Sequence, residues 1–242
     1  MGGLGLYLEQ EGIPTTQISL VREHTALINP PRALWVPFEL GRPFGAPDDP
    51  TFQRRVLRAA LELLLAEGGP LLVDFPDDAP DVDVTEGWAC PVNLPPSHGD
   101  ESELAAELAG EVEATRPWHD LWRERRGRST VGVSGLEIAQ AAAYMAAFLE
   151  RDLPDMPRDG LSPGALLKLV VEDIKAFYLE AAMAQPGNVS SAALADWFWG
   201  QTVAGRIMLK LRPKLLEHGD EGLRIFAGGV LVPQTQLHRL QA

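Results

Sequence analysis

The stretch Arg32–Phe38, RALWVPF, decides the fold class of the first part of the chain. It is a short and almost uninterrupted apolar run, which is typical of a strand buried on both faces of a parallel sheet. Thr15–Leu20 and Pro70–Phe75 predict two further strands, and a loop containing Asn29-Pro30-Pro31 is expected after the first of them. Thr51–Glu67 has the apolar spacing of a helix, with Asp48 or Asp49 as its expected N-cap. Because the predicted strands are separated by helical or irregular crossovers, the pattern indicates a parallel α/β unit.

The composition changes after this unit. Between Asp74 and Glu113 the chain carries twelve acidic residues and no Lys or Arg, together with several prolines, which favours a linker or an extended wrap. Four Ala- and Leu-rich helical segments are predicted beyond it, over residues 102–126, 134–153, 162–185 and 190–218. We therefore predict a partial parallel-sheet, Rossmann-like unit at 1–76, an acidic linker at 77–101 and a mainly α-helical region at 102–242.

Composition excludes several classes of protein. In 242 residues, 45% apolar content is enough for a core, and a single cysteine excludes a disulfide framework or a thiolate-rich metal site within the chain. The formal charge of -13 argues against a nucleic-acid partner, because phosphate would be repelled. No run of about 18 apolar residues predicts a membrane span, and the first residues lack the pattern of a signal peptide. A cytoplasmic location is the resulting expectation.

Three blocks of the first 68 residues resemble a known family in order and spacing. They are Leu8–Thr16, LEQEGIPTT; Arg32–Gly45, RALWVPFELGRPFG; and Gln53–Leu61, QRRVLRAAL. Together they resemble the selenoprotein-B family of the glycine, sarcosine, betaine and D-proline reductases, and the resemblance covers about residues 4–68. It implies an oxidoreductase subunit in a hetero-oligomer or homo-oligomer that cleaves a small amino-acid-like or heteroatom-containing substrate reductively.

The resemblance also implies chemistry that this chain does not hold by itself. In that family a selenocysteine or cysteine attacks the substrate, and a separate subunit with a pyruvoyl group activates the amino group. The family's redox motif lies just before the segment matching Gly3–Leu6, where this sequence begins. We therefore expect no cofactor within the chain, and a partner subunit that carries the thiol, selenol or pyruvoyl group. The alternatives are that the true start of the chain lies upstream of Met1, or that the activity has been lost.

The segment Glu39–Gly45, ELGRPFG, is the predicted substrate-binding loop. It follows a predicted strand, and ligands of open parallel sheets bind beyond the carboxyl ends of the strands. Gly41 and Gly45 allow close backbone approach or a positive φ, and Arg42 could bind a substrate carboxylate in a bidentate manner. The alternative is that Arg42 only pairs with Glu39 or Asp48 on the surface.

Cys90 and His119 are the candidate catalytic residues outside the matched blocks. Cys90 is the only thiol and so the only possible intrinsic redox nucleophile, although its acidic surroundings would raise its pKa and it could be a small buried residue. His119, flanked by Trp118 and Asp120, could act as a base if the fold brings it close, or could be a packed helical histidine.

Two further segments of the predicted helices carry candidates. Asp196–Thr202, DWFWGQT, is the most aromatic stretch, so Trp199 is a candidate for a pocket or a subunit interface, the alternative being a helix buried on most sides. Arg206, Lys210 and Lys214 form a basic stripe, expected to meet acidic residues of this chain or of a partner. Of the adjacent Glu172 and Asp173, only one can face inward on a helix.

The sequence leaves three functional hypotheses. The first is a subunit of a multi-component reductase whose nucleophile is supplied in trans. The second is a non-catalytic assembly or substrate-binding subunit of a larger complex. The third is an independent hydrolase or lyase that uses His119 with an acid, although no spacing in the sequence pairs His119 with one. No metal site is predicted, since the spacing of His, Cys, Asp and Glu matches none of the common metal-binding motifs.

Overall fold

The computed structural model describes residues 2–45, 49–79, 101–186 and 189–241. The chain divides into two compact units, Met1–Val82 and Asp83–Ala242, which we call the sheet unit and the helical unit. Cys90 and most of the predicted linker at 77–101 lie outside the described residues, so the linker remains a prediction. Among the described residues, no helix has both the length and the apolar content that crossing a bilayer requires.

The sheet unit contains a small parallel sheet in the order β1-β2-β3. The strands are β1 (Gln17–Ser19), β2 (Arg32–Trp35) and β3 (Leu71–Asp74), and they pair in parallel with Ala33 opposite Gln17 and Leu72. The helices are α1 (Gly2–Gln10), α2 (Arg22–Ile28) and α3 (Pro50–Glu62), and α3 continues into a 3₁₀ turn at Leu63–Leu65. This confirms the predicted mixed α/β class and the parallel arrangement.

The core of the sheet unit forms where α3 packs on β2. Asp49 caps α3 by accepting a hydrogen bond from the amide of Phe52 at 3.0 Å, as predicted for one of two adjacent aspartates. The rings of Phe38, Phe52 and Phe75 meet with centroids 5.5 to 6.0 Å apart in tilted and edge-on pairs. These aromatic pairs hold the ends of β2 and β3 against α3.

The segment between β1 and β2 differs from the prediction. A loop was expected there, whereas the structure has the seven-residue helix α2. The helix ends at Asn29, whose φ of 54° places it in the left-handed region, and Pro30 then prevents continuation. A helix this short carries too few apolar positions to show a helical period in the sequence.

The described part of the helical unit is made of helices and turns. They are α4 (Glu101–Arg126), α5 (Ile138–Ala147), α6 (Pro163–Met183), α7 (Ser191–Gln201), α8 (Val203–Leu216), α9 (Glu221–Gly229) and a 3₁₀ segment at Gln234–Gln241. α6 is central: many of its residues are buried, and it packs against α4, α5, α7 and α9. The helical character predicted for this region is confirmed.

The helix predicted over 190–218 is two helices with a break at Thr202. The Thr202 hydroxyl donates to the carbonyl of Phe198 at 2.6 Å and accepts from the amide of Gly205 at 3.0 Å, so one side chain ends α7 and caps α8. Gly205 allows the break, because a Cβ there would lie 2.2 Å from the Phe198 carbonyl oxygen. Trp199, Val203 and Ile207 continue the four-residue apolar spacing of a helix across Thr202, so the periodicity alone predicts one helix.

Candidate functional site

The loop after β2 contains the predicted substrate-binding residues of the sheet unit. Gly41 and Gly45 have φ values of 92° and 82°, so both occupy the left-handed region for which glycine was expected. A Cβ at Gly45 would lie 2.7 Å from the ring of Phe52. Arg42 is partly exposed, and its guanidinium lies 3.7 Å from the carboxylate of Glu39. The structure thus places Arg42 at the surface beside Glu39, in a loop fixed by its two glycines.

A second feature of the same edge is an ion pair that sequence reasoning missed. Arg22 follows β1 and Asp74 ends β3, and Nε of Arg22 donates to both carboxylate oxygens of Asp74, at 2.9 and 3.1 Å. Because β2 lies between these strands, the pair joins the two outer strands at their carboxyl ends. Both side chains are about half exposed, so the pair is open to solvent.

The opposite edge of the sheet is held by a cluster built from two of the blocks that carry the family resemblance. One carboxylate oxygen of Glu9 accepts hydrogen bonds from the amide and the hydroxyl of Thr15 and from the guanidinium of Arg32. The bond from the Thr15 amide and the partner Arg32 hold the pKa of Glu9 below its usual range. Arg32 is largely buried and also donates to the carbonyl of Ala66 at 3.1 Å, just beyond α3.

The helical unit contains the other candidate site, which is built on two buried acids of α6. Asp173 and Glu180 are seven residues apart, so they lie on one face of the helix. Asp173 accepts from the amides of Gly132, Val133 and Ser134 at 2.7 to 2.9 Å and from the Ser134 hydroxyl. These bonds fix the segment between α4 and α5. They explain why α5 begins at Ile138, whereas the sequence predicted a start at residue 134.

Glu180 connects the same segment to His119. One of its oxygens accepts from the amide and the hydroxyl of Thr130, both at 2.7 Å. The other accepts from the Ser129 hydroxyl at 2.6 Å and lies 3.1 Å from Nε2 of His119. His119 is buried, and its ring packs on Phe177 with a centroid distance of 4.9 Å. The structure therefore forms a His119–Glu180 pair.

The charges of this pair follow from its surroundings. Burial opposes ionisation of Glu180, but the hydrogen bonds from Ser129 and Thr130 outweigh it and hold the pKa of Glu180 below its usual value. Burial lowers the pKa of His119 despite the nearby carboxylate. Glu180 is thus a carboxylate that can only accept, and His119 is a neutral ring whose proton we assign to Nε2. Nδ1 remains as the proton acceptor of the ring.

A cleft of about 690 Å³ opens beside this pair. Its wall is formed by the second half of α4, the segment 127–136 and the start of α5, with Phe177 from α6. His119 and Ser129 line it, together with the charged residues Arg116, Asp120, Arg123, Glu124, Arg128 and Glu137. A neutral histidine held by a carboxylate beside such a cleft can accept a proton or a hydrogen bond from a ligand.

The remaining predicted residues are placed as follows. Trp199 lies in the core of the helical unit with Trp197 and Phe198, and each is at most 5% exposed. The Nζ atom of Lys175 sits 5.3 Å from the centroid of the Trp199 ring, and burial lowers the pKa of Lys175 to about 8. In the basic stripe, Arg206 lies 3.6 Å from the carboxylate of Glu107, a residue of the acidic stretch.

Sequence reasoning found half of the His119–Glu180 pair. It named His119 and predicted that one of Glu172 and Asp173 faces inward, and Asp173 is the buried one. It did not name Glu180, although the seven-residue separation from Asp173 in an apolar helix was a usable signal. Within the described residues no group of three or more His, Cys, Asp or Glu side chains could hold a metal ion.

No family model, no curated protein and no solved structure matches this chain. The local geometry of the two units is therefore the basis for functional inference, together with the resemblance of the three blocks.

Proposed function

We propose that the chain is a subunit of a multi-component reductase, similar to the B component of the glycine and D-proline reductases. Its substrate is a small amino-acid-like or heteroatom-containing molecule, and the nucleophilic cysteine or selenocysteine is supplied by a partner subunit. The observation that carries the proposal is the contact between blocks. Glu9 of the first block binds Arg32 of the second, and Arg32 binds the carbonyl of Ala66, a few residues beyond the third.

The strand order of the sheet supports a Rossmann-like fold for this unit. Three parallel strands in the order β1-β2-β3 correspond to one half of a doubly wound sheet. In such sheets the ligand binds beyond the carboxyl ends of the strands, which is where Gly41, Arg42 and Gly45 lie. We assign Arg42 the role of binding a substrate carboxylate, in exchange for its long contact with Glu39.

The redox step requires a thiol system. Reductive cleavage of a bond from carbon to a heteroatom consumes two electrons and two protons, and two thiols that form a disulfide can supply both. Cys90 is surrounded in sequence by acids, which disfavour its thiolate, so we assign the nucleophile to the partner. Such thiol chemistry needs a reducing compartment, and the proposal therefore places the complex in the cytoplasm.

The non-catalytic alternative, an assembly subunit, is favoured by one surface of the sheet unit. Three exposed leucines at four-residue spacing form a ridge along α3 and its 3₁₀ turn. They are Leu57, Leu61 and Leu65, which are 44%, 50% and 83% exposed. Arg54 and Arg58 line the same groove. An apolar ridge with cationic neighbours fits a partner with an apolar surface and acidic surroundings.

The test of the main proposal is purification of the tagged full chain from its own cells, followed by turnover measurements. We expect a subunit with a cysteine or selenocysteine motif to co-purify. We also expect the complex to release product from glycine, sarcosine, betaine or D-proline with dithiothreitol as reductant. Removing this chain from the reconstituted complex should abolish turnover. Turnover that is unchanged without the chain would contradict a role in the active site and leave the assembly role at most.

The assembly role is tested by a charged substitution on the ridge. Leu61→Asp should weaken association with the co-purified subunit at least tenfold in a sedimentation or biolayer measurement. Leu27→Asp is the matched control, because Leu27 is an exposed leucine of the same unit on another helix, 84% exposed. Equal effects of the two substitutions, or none, would contradict docking at this ridge.

A further inference from the structure

The cleft of the helical unit contains two arginines that form no hydrogen bond or ion pair with the residues that the structure describes. The chain has five arginines between residues 116 and 128. Three of them are engaged: Arg116 pairs with Glu113 at 2.8 Å, Arg125 donates to the carbonyl of Ala184, and Arg126 stacks on Trp122. Arg123 and Arg128 both line the cleft, and neither side chain donates a hydrogen bond or forms an ion pair within the described part of the chain.

His119 supplies a third group to the same cleft. Its Nε2 lies 3.1 Å from a carboxylate oxygen of Glu180 and 3.2 Å from the hydroxyl oxygen of Ser129. Its Nδ1 makes no hydrogen bond to a described residue. The Ser129 hydroxyl uses its single proton on Glu180, so it cannot protonate the ring. The ring therefore offers one lone pair without a negative charge, which suits a neutral O–H donor better than an ammonium group.

The other charges of the cleft limit the charge of the ligand. Three acids also line the wall: Asp120, Glu124 and Glu137. Their charges balance those of the three arginines that line the cleft, which are Arg116, Arg123 and Arg128. A multiply charged anion such as phosphate would meet these carboxylates at close range, whereas a single carboxylate can pair with a guanidinium in a planar, bidentate manner. The balance favours a ligand with one negative charge and a polar group beside it.

We propose that this cleft binds a small hydroxycarboxylate. The carboxylate pairs with Arg123 and Arg128, and the hydroxyl group donates to Nδ1 of His119. Glu180 acts as the positioning residue, because it holds the ring through Nε2 and fixes the segment 129–130 that forms the rim. The proposal concerns the helical unit alone and goes beyond the reductase function, so either can fail without the other.

Titration of the full chain with glycolate tests the proposal. The chain carries ¹⁵N-labelled histidine, and the ring nitrogens are followed by NMR, with affinity measured by calorimetry. We expect glycolate to shift the Nδ1 resonance of His119 and to bind at least fivefold more tightly than acetate, which lacks the hydroxyl group. Inorganic phosphate should bind more weakly than glycolate. Equal affinity for glycolate and acetate, or tighter binding of phosphate, would overturn the assignment.

The arginine variants complete the test. Arg123→Gln and Arg128→Gln should each weaken glycolate binding at least tenfold, and both sites are exposed, so the fold should be retained. Arg126→Gln is the matched control, because Arg126 belongs to the same helix but stacks on Trp122 outside the cleft. His119→Gln should remove the difference between glycolate and acetate. A loss in Arg126→Gln as large as in the other two variants would overturn the proposed site.

Discussion

The two units satisfy their buried charges in different ways. In the sheet unit, the buried guanidinium of Arg32 is balanced by the opposite charge of Glu9 and joins separate elements. In the helical unit, Asp173 and Glu180 are buried acids whose partners are mainly amides and hydroxyls of one segment. The ion pair links secondary-structure elements, whereas the carboxylates determine the conformation of a loop. The cleft with the neutral His119 lies in the helical unit, where the buried carboxylates are bound by the amides and hydroxyls of a loop.

The largest expected effect tests the dependence of the loop on Asp173. Asp173→Ala removes the acceptor of three amides and a hydroxyl in a buried place, which should lower the free energy of unfolding of the helical unit by at least about 3 kcal/mol. Urea unfolding followed by the fluorescence of the buried tryptophans measures it. Glu172→Ala is the control: its side chain is about half exposed and pairs with Lys168, so the change should stay below about 0.5 kcal/mol.

The next effect concerns the ion pair of the sheet unit. Arg32→Ala should destabilise the sheet unit by about 2 kcal/mol, because a buried charged donor to Glu9 and to a backbone carbonyl is lost. Hydrogen exchange of peptides from β2 and β3 reports the change locally. Arg22→Ala breaks the exposed pair with Asp74 and should cost less than about 1 kcal/mol. Comparable losses in the two variants would mean that the burial of Arg32 has no energetic role.

Helix caps should show no difference between the units. Asp49→Ala in the sheet unit and Ser190→Ala in the helical unit each remove a side-chain acceptor from a helix N-terminus, at 3.0 and 3.1 Å. Each should lower the unfolding free energy of its own unit by about 1 kcal/mol. Thermal unfolding of both variants provides the comparison. A several-fold difference would show that one unit tolerates local changes better than the other.

The smallest expected effect is the pH dependence that His119 gives to the stability of the helical unit. Burial lowers the pKa of His119 in the folded state, so the unfolded chain binds a proton more readily and stability falls as the pH drops through about 6.5. The lowered pKa of Glu180 affects stability only at more acidic pH. The stabilisation that ionised Glu180 provides is lost when the pH falls below the ordinary pKa of a glutamate carboxyl. Unfolding free energies measured from about pH 7.5 to 5.5 should decrease more in the wild type than in His119→Gln. Parallel curves would contradict a buried neutral histidine.

The parts of the fold that follow from local pattern were predictable. The apolar runs at Arg32–Phe38 and Pro70–Phe75 indicate their strands, and their separation by a helix indicates that the strands are parallel. The break at Thr202 was not predictable, because it depends on a close approach of Gly205 to the Phe198 carbonyl that only the folded chain contains. The resemblance and the reductase function remain predictions.

Only the local part of the candidate site was predictable from the sequence. His119 is conspicuous between an aromatic ring and an acid, but its partner Glu180 lies 61 residues away in sequence. No spacing rule connects residues on two separate helices, and only the packing of α6 against α4 brings them within 3.1 Å. The seven-residue separation of Asp173 and Glu180 is the one local sign that both acids face the core.

The most direct test of the account is the turnover of the reconstituted complex with Cys90→Ser. We assign the redox nucleophile to the partner subunit, so dithiothreitol-driven product release should stay within about twofold of the wild type. Assembly of the complex is measured by sedimentation in the same preparation. Loss of turnover in a complex that assembles normally would make Cys90 the nucleophile and contradict the assignment.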